Sequence, residues 1–508
     1  MDNDDDDDDD HDRNKLSFKN NLGEQKLLVV SLDGFRYDFL DISGTKTLRK
    51  LVSGGVHARS LTSSFITKTF PNHHSIATGL YEENHGIVAN SMWDPDWDET
   101  FKTCSERKCG RWYGGQPIWN SNEMHGMDLI SGRKKRHSGE EETPSKASKK
   151  TSGVMYWPGI TANINNMTVT FVEKYIDPYA NDTKYMNLTQ RFDKAISWFT
   201  HADTPANLVM IYYEFPDKLC HSHGPESKQV NDSVRAIDND FDHLLKELEK
   251  KSLLNTTNIL VVSDHGFADV DGYLYLEDCV KNISEYRVVD NSPIISIWPL
   301  DNDDNVDFLY NTISKCDGYV VYRNPSPQLI QRHYSHNNRI PPILVSTKHS
   351  ENSAKIIITN RNQSWTTKGS HGWDNTWDRM HAVFLANGPA FRKGVSHEPI
   401  NNVHIYPLMC TILDIDCPPS DGSVEVIRDM FLLEDDEGVD MATVLTVAGV
   451  ALLCAFFSGI MIIGVCKLAM QKHRHLRLFN SNSSHGLKTI IPLNQERTTL
   501  LETSDEEF

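Results

Sequence analysis

The sequence predicts a doubly wound α/β domain followed by one membrane-spanning helix, and three observations carry that reading. Four apolar, β-branched runs, Lys26–Leu32, Leu208–Tyr213, residues 259–262 and residues 382–385, read as buried parallel strands. Helical patterns at residues 191–199 and 234–250 fall between them, and strand alternating with helix argues a mostly parallel sheet with helices on both faces. Near the C-terminus, residues 441–466 run 26 positions without a charge, more than the roughly 20 that cross a bilayer as a helix. A chain of 508 residues that is 39% apolar has enough material for one large core. No internal repeat is visible.

These features divide the chain into an acidic, disordered N-terminus (1–23), a large folded domain (24–432), a transmembrane helix (441–466) and a polar tail (467–508). The formal charge of −19 comes partly from the tract Asp4 to Asp10, which stays solvated; the remainder is mildly acidic, which excludes duplex nucleic acid as a partner. Glu434, Asp435, Asp436, Glu437 and Asp440 precede the apolar run, and Lys467, Lys472, Arg474 and Arg477 follow it. Basic flanks stay cytoplasmic, so the expectation is a single-pass type I protein of the cell membrane with its large domain outside and a cytoplasmic tail. Residues 1–21 have no apolar h-region, so we expect the exported chain to start from a different translation start.

Seven N-x-S/T sequons precede the helix, at Asn166, Asn181, Asn187, Asn231, Asn255, Asn282 and Asn362, and support an extracellular glycoprotein. Seven of the nine cysteines lie there too, which fits an oxidising compartment. We pair Cys279 with Cys316, Cys410 with Cys417, and Cys104 with Cys109, which leaves Cys220 free. Residues 132–152 are charged and poor in apolar side chains, hence an exposed loop; its Arg133-Lys134-Lys135-Arg136 is either a furin-like cleavage site or a solvated basic stretch.

Three of the four strands run into an acidic residue: LLVVSLDG ends at Asp33, LVMIYYEFPD at Asp217 and ILVVSDHG at Asp264. Open α/β sheets bind ligands beyond the carboxyl ends of their strands, so these carboxylates can converge on one crevice. His221 follows Asp217 by four residues, His265 follows Asp264 directly, and His371 sits in GSHGWDN. Carboxylate oxygen and imidazole nitrogen together suit zinc, and six such groups suffice for a two-metal site. A surface or satisfied core position is the ordinary fate of any of the 22 histidines. His73, His74 and His223 lack the strand-end placement and stay structural or adjacent to substrate.

A nucleophile is offered by ITKTFPNHHSIATG. Thr69 precedes a helical segment with Pro71 near its start and Gly79 at its C-cap, and a hydroxyl at a helix N-terminus lies where a phosphate anion is also favoured. Taken alone, Thr69 reads as a helix cap; the metal-type ligands give it a catalytic reading, because a bound cation lowers the pKa of a hydroxyl.

On these residues, and on the longer motifs LVVSLDGFR, FITKTFPNHHSIATGLYEENHGIVANSMWDP, GGQPIW, VMYWPG, VVSDHG, GSHGWDN and FLANGPAFRKG, the chain resembles the ectonucleotide pyrophosphatase/phosphodiesterase family of the alkaline phosphatase superfamily. It is most similar to the family's single-pass fourth and fifth members. The resemblance implies an alkaline-phosphatase-like fold and two Zn2+ ions, one on Asp217, His221 and His371, the other on Asp33, Thr69, Asp264 and His265. It implies that Thr69 attacks phosphorus and that a nucleoside 5′-monophosphate is released. Asn90, in HGIVANSM, matches the asparagine that donates to a phosphate oxygen, aided by the backbone N–H of Phe70. Phe70 matches one wall of a base slot; Tyr179 is the local match to the other wall, while spacing from Trp157 points to Tyr175. ATP, NAD and dinucleoside polyphosphates are the implied substrates.

Two departures from the family pattern stand out. Cys220 replaces the usual glycine before the metal histidine, as a bystander or an extra thiolate ligand, and the 132–152 insertion lies close to loops that shape substrate entry. In the tail, Glu496 to Leu501 looks like an acidic dileucine signal for endosomal sorting adaptors, and Ser504 before Asp505, Glu506 and Glu507 looks like an acidophilic-kinase site. Two other readings share the same residues: a phosphocholine-cleaving lipid phosphodiesterase, and a catalytically silent surface interaction protein.

Overall fold

The computed structural model describes residues 25–103, 106–131, 150–281, 283–290, 293–300, 304–359, 361–362, 366–432 and 441–480. The acidic N-terminus, Cys104, most of the 132–152 insertion, Asn282 and both tail motifs lie outside them. Two compact units are present, residues 1–434 and 435–508.

The first unit is organised by a large sheet. Its strands are β1 (Lys26–Leu32), β2 (Val56–Ala58), β3 (Ser152–Met155), β4 (Phe171–Glu173), β5 (Leu208–Tyr213), β6 (Thr257–Val262), β7 (Phe384–Asn387) and β8 (Val395–His397). Across the sheet they run β8-β2-β7-β6-β1-β5-β3-β4. β1 pairs in parallel with both β5 and β6, at Ser31 opposite Tyr212 and Ser31 opposite Val262. These three central strands are buried along almost their whole length, which is why they read as unbroken apolar runs rather than alternating ones. Each fully buried Val, Leu or Ile here contributes about 1.5–3 kcal/mol through removal from water.

Of the four predicted strands, the last needs correction. β7 is antiparallel to β6 and to β2. Its chain arrives from the His371 segment, at the edge of the sheet where β1, β5 and β6 end, and so can only run back across it. The two predicted helices extend further toward the N-terminus, as Leu188–Phe199 and Lys228–Lys250. The first begins at an Asn187–Gln190 capping box and the second at the Ser227 side-chain cap, neither of which apolar periodicity detects.

A satellite region lies between β6 and β7. It holds a four-stranded antiparallel sheet, in the order Tyr286–Val289, Ile295–Pro299, Ile343–Thr347, Tyr319–Arg323, with its own apolar cluster around Leu276, Ile297, Leu309 and Val345. A three-stranded sheet places Ala268–Tyr275 between Ser353–Ile358 and Gly369–Ser370. Cys279–Cys316 and Cys410–Cys417 are disulfides as expected, and Cys220 is free and buried. Cys109 is disulfide-bonded as well.

The second unit is the helix Met441–Asn480, which continues past the predicted boundary at residue 466. Among the described residues it is the one helix long and apolar enough to cross a membrane, with a span at Leu452–Lys472.

Candidate active site

β1, β5 and β6 deliver their last residues to one edge of the sheet, and the three predicted carboxylates meet there. Asp33 follows β1, Asp264 follows β6, and Asp217 opens the helix Asp217–His223 just beyond β5. Backbone hydrogen bonds knit the first two turns together: Asp33 N–H donates to the Tyr213 carbonyl at 2.9 Å and Asp217 N–H to the Asp33 carbonyl at 3.0 Å. Gly34 has φ +67°, and a Cβ there would lie 3.0 Å from the Asp217 backbone, so the turn after β1 accepts no side chain.

The predicted histidines join this cluster. His265 Nε2 lies 3.4 Å from Asp33 Oδ1 and 3.0 Å from Asp264 Oδ2; His221 Nε2 and His371 Nε2 each lie 3.6 Å from Asp217 Oδ1. Two ligand groups close enough to share an ion result, Asp217 with His265 and His371, and Asp33 with Asp264 and His265. The structure thus gives His265 a place in both groups, because its ring stacks on that of His371 with centroids 3.5 Å apart, while His221 borders the first group.

The second nitrogen of each ring fixes its chemistry. His221 Nδ1 lies 3.1 Å from the Gly369 carbonyl, His265 Nδ1 3.0 Å from that of Gly266, and His371 Nδ1 2.9 Å from that of Thr67. A carbonyl can only accept, so Nδ1 carries a proton in all three and each Nε2 is left facing the carboxylates, the nitrogen that metal-binding histidines use. His73 spends both nitrogens, on the Thr69 carbonyl at 2.8 Å and the Ser31 hydroxyl at 2.8 Å, and His74 Nε2 donates to the Gly114 carbonyl. Both are structural, and His223 is exposed.

Charge in this cluster is unbalanced. Burial pushes the Asp33 carboxyl well above the ordinary 3.8, and the adjacent Asp264 and Asp217 push it further. Burial raises Asp217 as well. Burial acts the same way on Asp264, but His265 and His73 outweigh it and hold this carboxyl well below the usual range. Asp33 Oδ1, Asp217 Oδ1 and Asp264 Oδ2 are buried and have no hydrogen-bond partner among the described residues. Unpartnered, buried, mutually repelling carboxylate oxygens beside imidazole Nε2 atoms suit a metal ion. Cys220 is in neither ligand group, and burial pushes its thiol up toward the neutral form, which favours the bystander reading.

Thr69 Oγ1 lies 3.4 Å from His265 Nε2. Thr69 is the first residue of the helix Thr69–Thr78 rather than its cap, which is Lys68; Gly79 closes the helix in the left-handed conformation, as expected. The approach to Thr69 is strained. Ile66, buried and β-branched, sits at φ +63°, and its carbonyl is clamped by the Lys68 N–H and by Asn72 Nδ2.

One expectation changes at Asn90. The Phe70 N–H donates to Asn90 Oδ1 at 2.9 Å, so it orients that amide, with Nδ2 left as the donor group, instead of serving as a second donor itself. Phe70, Asn90, Tyr175 and Tyr179 all line a cavity of about 1180 Å³ that also reaches Asp33, Thr69, Asp217 and His221. Tyr175 is 44% exposed and packs edge-on against Tyr156 and Tyr212; Tyr179 is 62% exposed, with Lys218 Nζ 5.2 Å from its ring centre. Tyr212 was not anticipated: its hydroxyl donates to Asp33 Oδ2 at 2.5 Å. Its place opposite Ser31, two residues before Asp33, would have signalled it had the strand register been known.

A hydroxyl at a helix start beside paired carboxylates and imidazoles, on the carboxyl edge of a doubly wound sheet, defines a hydrolase acting on phosphate esters. The chain belongs to the type I phosphodiesterase / nucleotide pyrophosphatase family, whose pattern matches residues 27–374. It is therefore a nucleotide pyrophosphatase/phosphodiesterase. It is 33% identical over 408 residues to a bis(5′-adenosyl)-triphosphatase of Xenopus laevis, covering 80% of this chain and 81% of that one. With human ectonucleotide pyrophosphatase/phosphodiesterase family member 5 it shares 32% identity over 80% of this chain and 78% of that protein. The solved structure of the murine member 5, as an inactive threonine-to-alanine variant in complex with AMP, is similar with a TM-score of 0.69 and 31% identity, over 80% of this chain and 100% of that one.

Because a raised carboxyl binds its proton more tightly in the folded chain, the stability that Asp33 contributes under chelation falls as pH climbs above the ordinary 3.8. Asp33→Asn removes that loss. In chelator at neutral pH its melting temperature is expected to exceed that of the wild type, while the stabilisation that added Zn2+ gives the wild type largely disappears. An unchanged wild-type melting temperature across a zinc titration would count against a metal site here.

Proposed function

We propose that this chain is a zinc-dependent ectoenzyme that cleaves nucleotide phosphodiester or pyrophosphate bonds and releases nucleoside 5′-monophosphate through a threonyl-nucleotidyl intermediate. The observation that carries the proposal is Thr69 Oγ1, at a helix start, 3.4 Å from the imidazole of His265, which belongs to both carboxylate–imidazole groups. Asp217, His221 and His371 would hold one Zn2+, and Asp33, Thr69, Asp264 and His265 the other. Two such ions would supply positive charge that lowers the pKa of a hydroxyl and offsets charge growing on the phosphoryl oxygens.

The remaining work falls to side chains of this chain. Thr69 Oγ1 gives up its proton and bonds to phosphorus as the bond to the leaving oxygen breaks; water then cleaves the threonyl ester and restores the hydroxyl. Asn90, its amide oriented by the Phe70 N–H, donates to a phosphoryl oxygen. The Phe70 ring and a tyrosine, Tyr179 or Tyr175, take the base between them. ATP, NAD and dinucleoside polyphosphates are the substrate class, in keeping with the triphosphatase named among the relatives and the AMP held by the murine one.

We place this catalytic domain outside the cell, anchored by Leu452–Lys472. Asn166, Asn181, Asn187, Asn255 and Asn362 are exposed, as glycan acceptors must be, and Asn231 is half-buried.

Hydrolysis of p-nitrophenyl thymidine 5′-monophosphate by the purified chain is expected to stop on chelation, return with zinc, and drop by about a thousandfold or more in Thr69→Ala. Faster cleavage of p-nitrophenyl phosphorylcholine than of the nucleotide ester would favour the lipid phosphodiesterase; cleavage of neither by zinc-loaded protein would favour the interaction protein. For the base slot, Tyr179→Ala is expected to raise KM for nucleotides several-fold with little change for Tyr175→Ala, and the reverse pattern would assign the slot to Tyr175. Topology is checked on intact cells: peptide N-glycosidase should increase the gel mobility of surface-labelled protein, and unaltered mobility would sink the exported arrangement.

A further inference from the structure

Thr67, two residues before Thr69, makes one hydrogen bond to each of three consecutive residues of a distant segment. Its carbonyl accepts from His371 Nδ1 at 2.9 Å; its hydroxyl accepts from the Gly372 N–H at 3.0 Å and donates to the Trp373 carbonyl at 2.9 Å. Thr67, His371, Gly372 and Trp373 are all buried, so a bond lost here is not replaced by bulk water. The hydroxyl has a single proton to give and spends it on Trp373, so both of its roles are filled by the same segment. The two segments also touch at the next residues. Lys68 Nζ pairs with Asp290 Oδ2 at 2.5 Å, and Gly372, at φ +117°, leaves no room for a side chain, since a Cβ there would lie 3.0 Å from Lys68 Cε.

One of the three Thr67 bonds acts on the imidazole of His371 directly, and the other two hold the backbone on which that imidazole is mounted. His371 belongs to one of the two groups that could hold an ion, and Thr69 opens the helix Thr69–Thr78. Thr67 itself does not line the cavity. We infer that Thr67 is a positioning residue, whose hydroxyl keeps the His371 segment in register with the start of the Thr69 helix. Partners that orient a metal-binding histidine act in this way, by fixing the ring rather than by touching the substrate. The inference rests on the reading of His371 as a Zn2+ ligand given above. It adds a residue outside the ligand set, on which both the ligand and the attacking hydroxyl depend.

The test measures Zn2+ affinity by competition with a chromogenic chelator in full-length wild type, Thr67→Val, Thr67→Ala, Thr67→Ser and Thr347→Val. Valine keeps the volume of threonine without its hydroxyl. Thr347 is the control: its buried hydroxyl bonds to Trp373 Nε1 at 2.8 Å and to the Lys355 carbonyl at 2.6 Å, neither of them in an ion-holding group. Thr67→Val should weaken Zn2+ binding about tenfold to a hundredfold, and Thr67→Ala, which leaves room for a water, should do so less strongly in the same direction. Thr67→Ser, with its hydroxyl in place, and Thr347→Val, whatever its melting temperature, should stay within about threefold of wild type. At saturating Zn2+, kcat for p-nitrophenyl thymidine 5′-monophosphate should fall about tenfold in Thr67→Val with KM nearly unchanged. Wild-type affinity in both Thr67→Val and Thr67→Ala, a loss in Thr67→Ser equal to that in Thr67→Val, or a loss as large in Thr347→Val would each overturn the inference while leaving the catalytic reading intact. A wild type that binds no Zn2+ overturns both.

Discussion

Asp33, Asp217 and Asp264 are held at the ends of three neighbouring strands, each with one buried oxygen that has no hydrogen-bond partner among the described residues. Like charges in that setting oppose folding unless something positive offsets them. The arrangement around them meets that demand in part: His265 lies beside Asp33 and Asp264, Tyr212 donates its hydroxyl to Asp33, and backbone bonds stop the turns from separating. The same demand gives the site its chemistry, since a cation bound to neutralise the carboxylates would also activate a hydroxyl placed beside them. Stability and reactivity are therefore set by one electrostatic problem.

The scaffold behind the cluster is built to resist relaxation. The central strands are buried on both faces, so their ends cannot drift without opening the core. On the Thr69 side, the left-handed Ile66 is tolerated because Asn72, itself buried and bonded to Ser64 and Asn402, grips its carbonyl. An unfavourable backbone conformation persists only where such contacts over-determine it. Thr69 thus sits on a helix end fixed from both sides.

Legibility from sequence followed burial and length. The runs at Lys26–Leu32 and Leu208–Tyr213 were found with their true bounds, because strands buried on both faces leave an uninterrupted apolar record. The acidic residue after each run then pointed to carboxylates that meet at one edge of the sheet. The satellite sheets were missed: their strands are two to eight residues long and, apart from Ile343–Thr347 and Gly369–Ser370, partly exposed, so their patterns are too weak to read. The reversed direction of β7 was missed because strand direction depends on where the connecting chain arrives. At the site, residue types pointed to the carboxylates and imidazoles that meet there, but the Asn90–Phe70 bond, the Tyr212 hydroxyl and the place of His265 in both groups depend on register and ring packing, which leave no local trace.

His371 reaches the cluster from a segment whose preceding residues, Gly369–Ser370, belong to the three-stranded satellite sheet. The ligand positions therefore draw on both the large sheet and the satellite region, from residue 33 to residue 371. An ion held by that set would act as a cross-link between distant parts of the chain. Like a disulfide closing a long loop, it would restrict the unfolded ensemble, an effect of about 2–4 kcal/mol for covalent links. Loss of the ion would then be felt first at the seam between the two regions, where the satellite would loosen from the sheet before the sheet itself gave way.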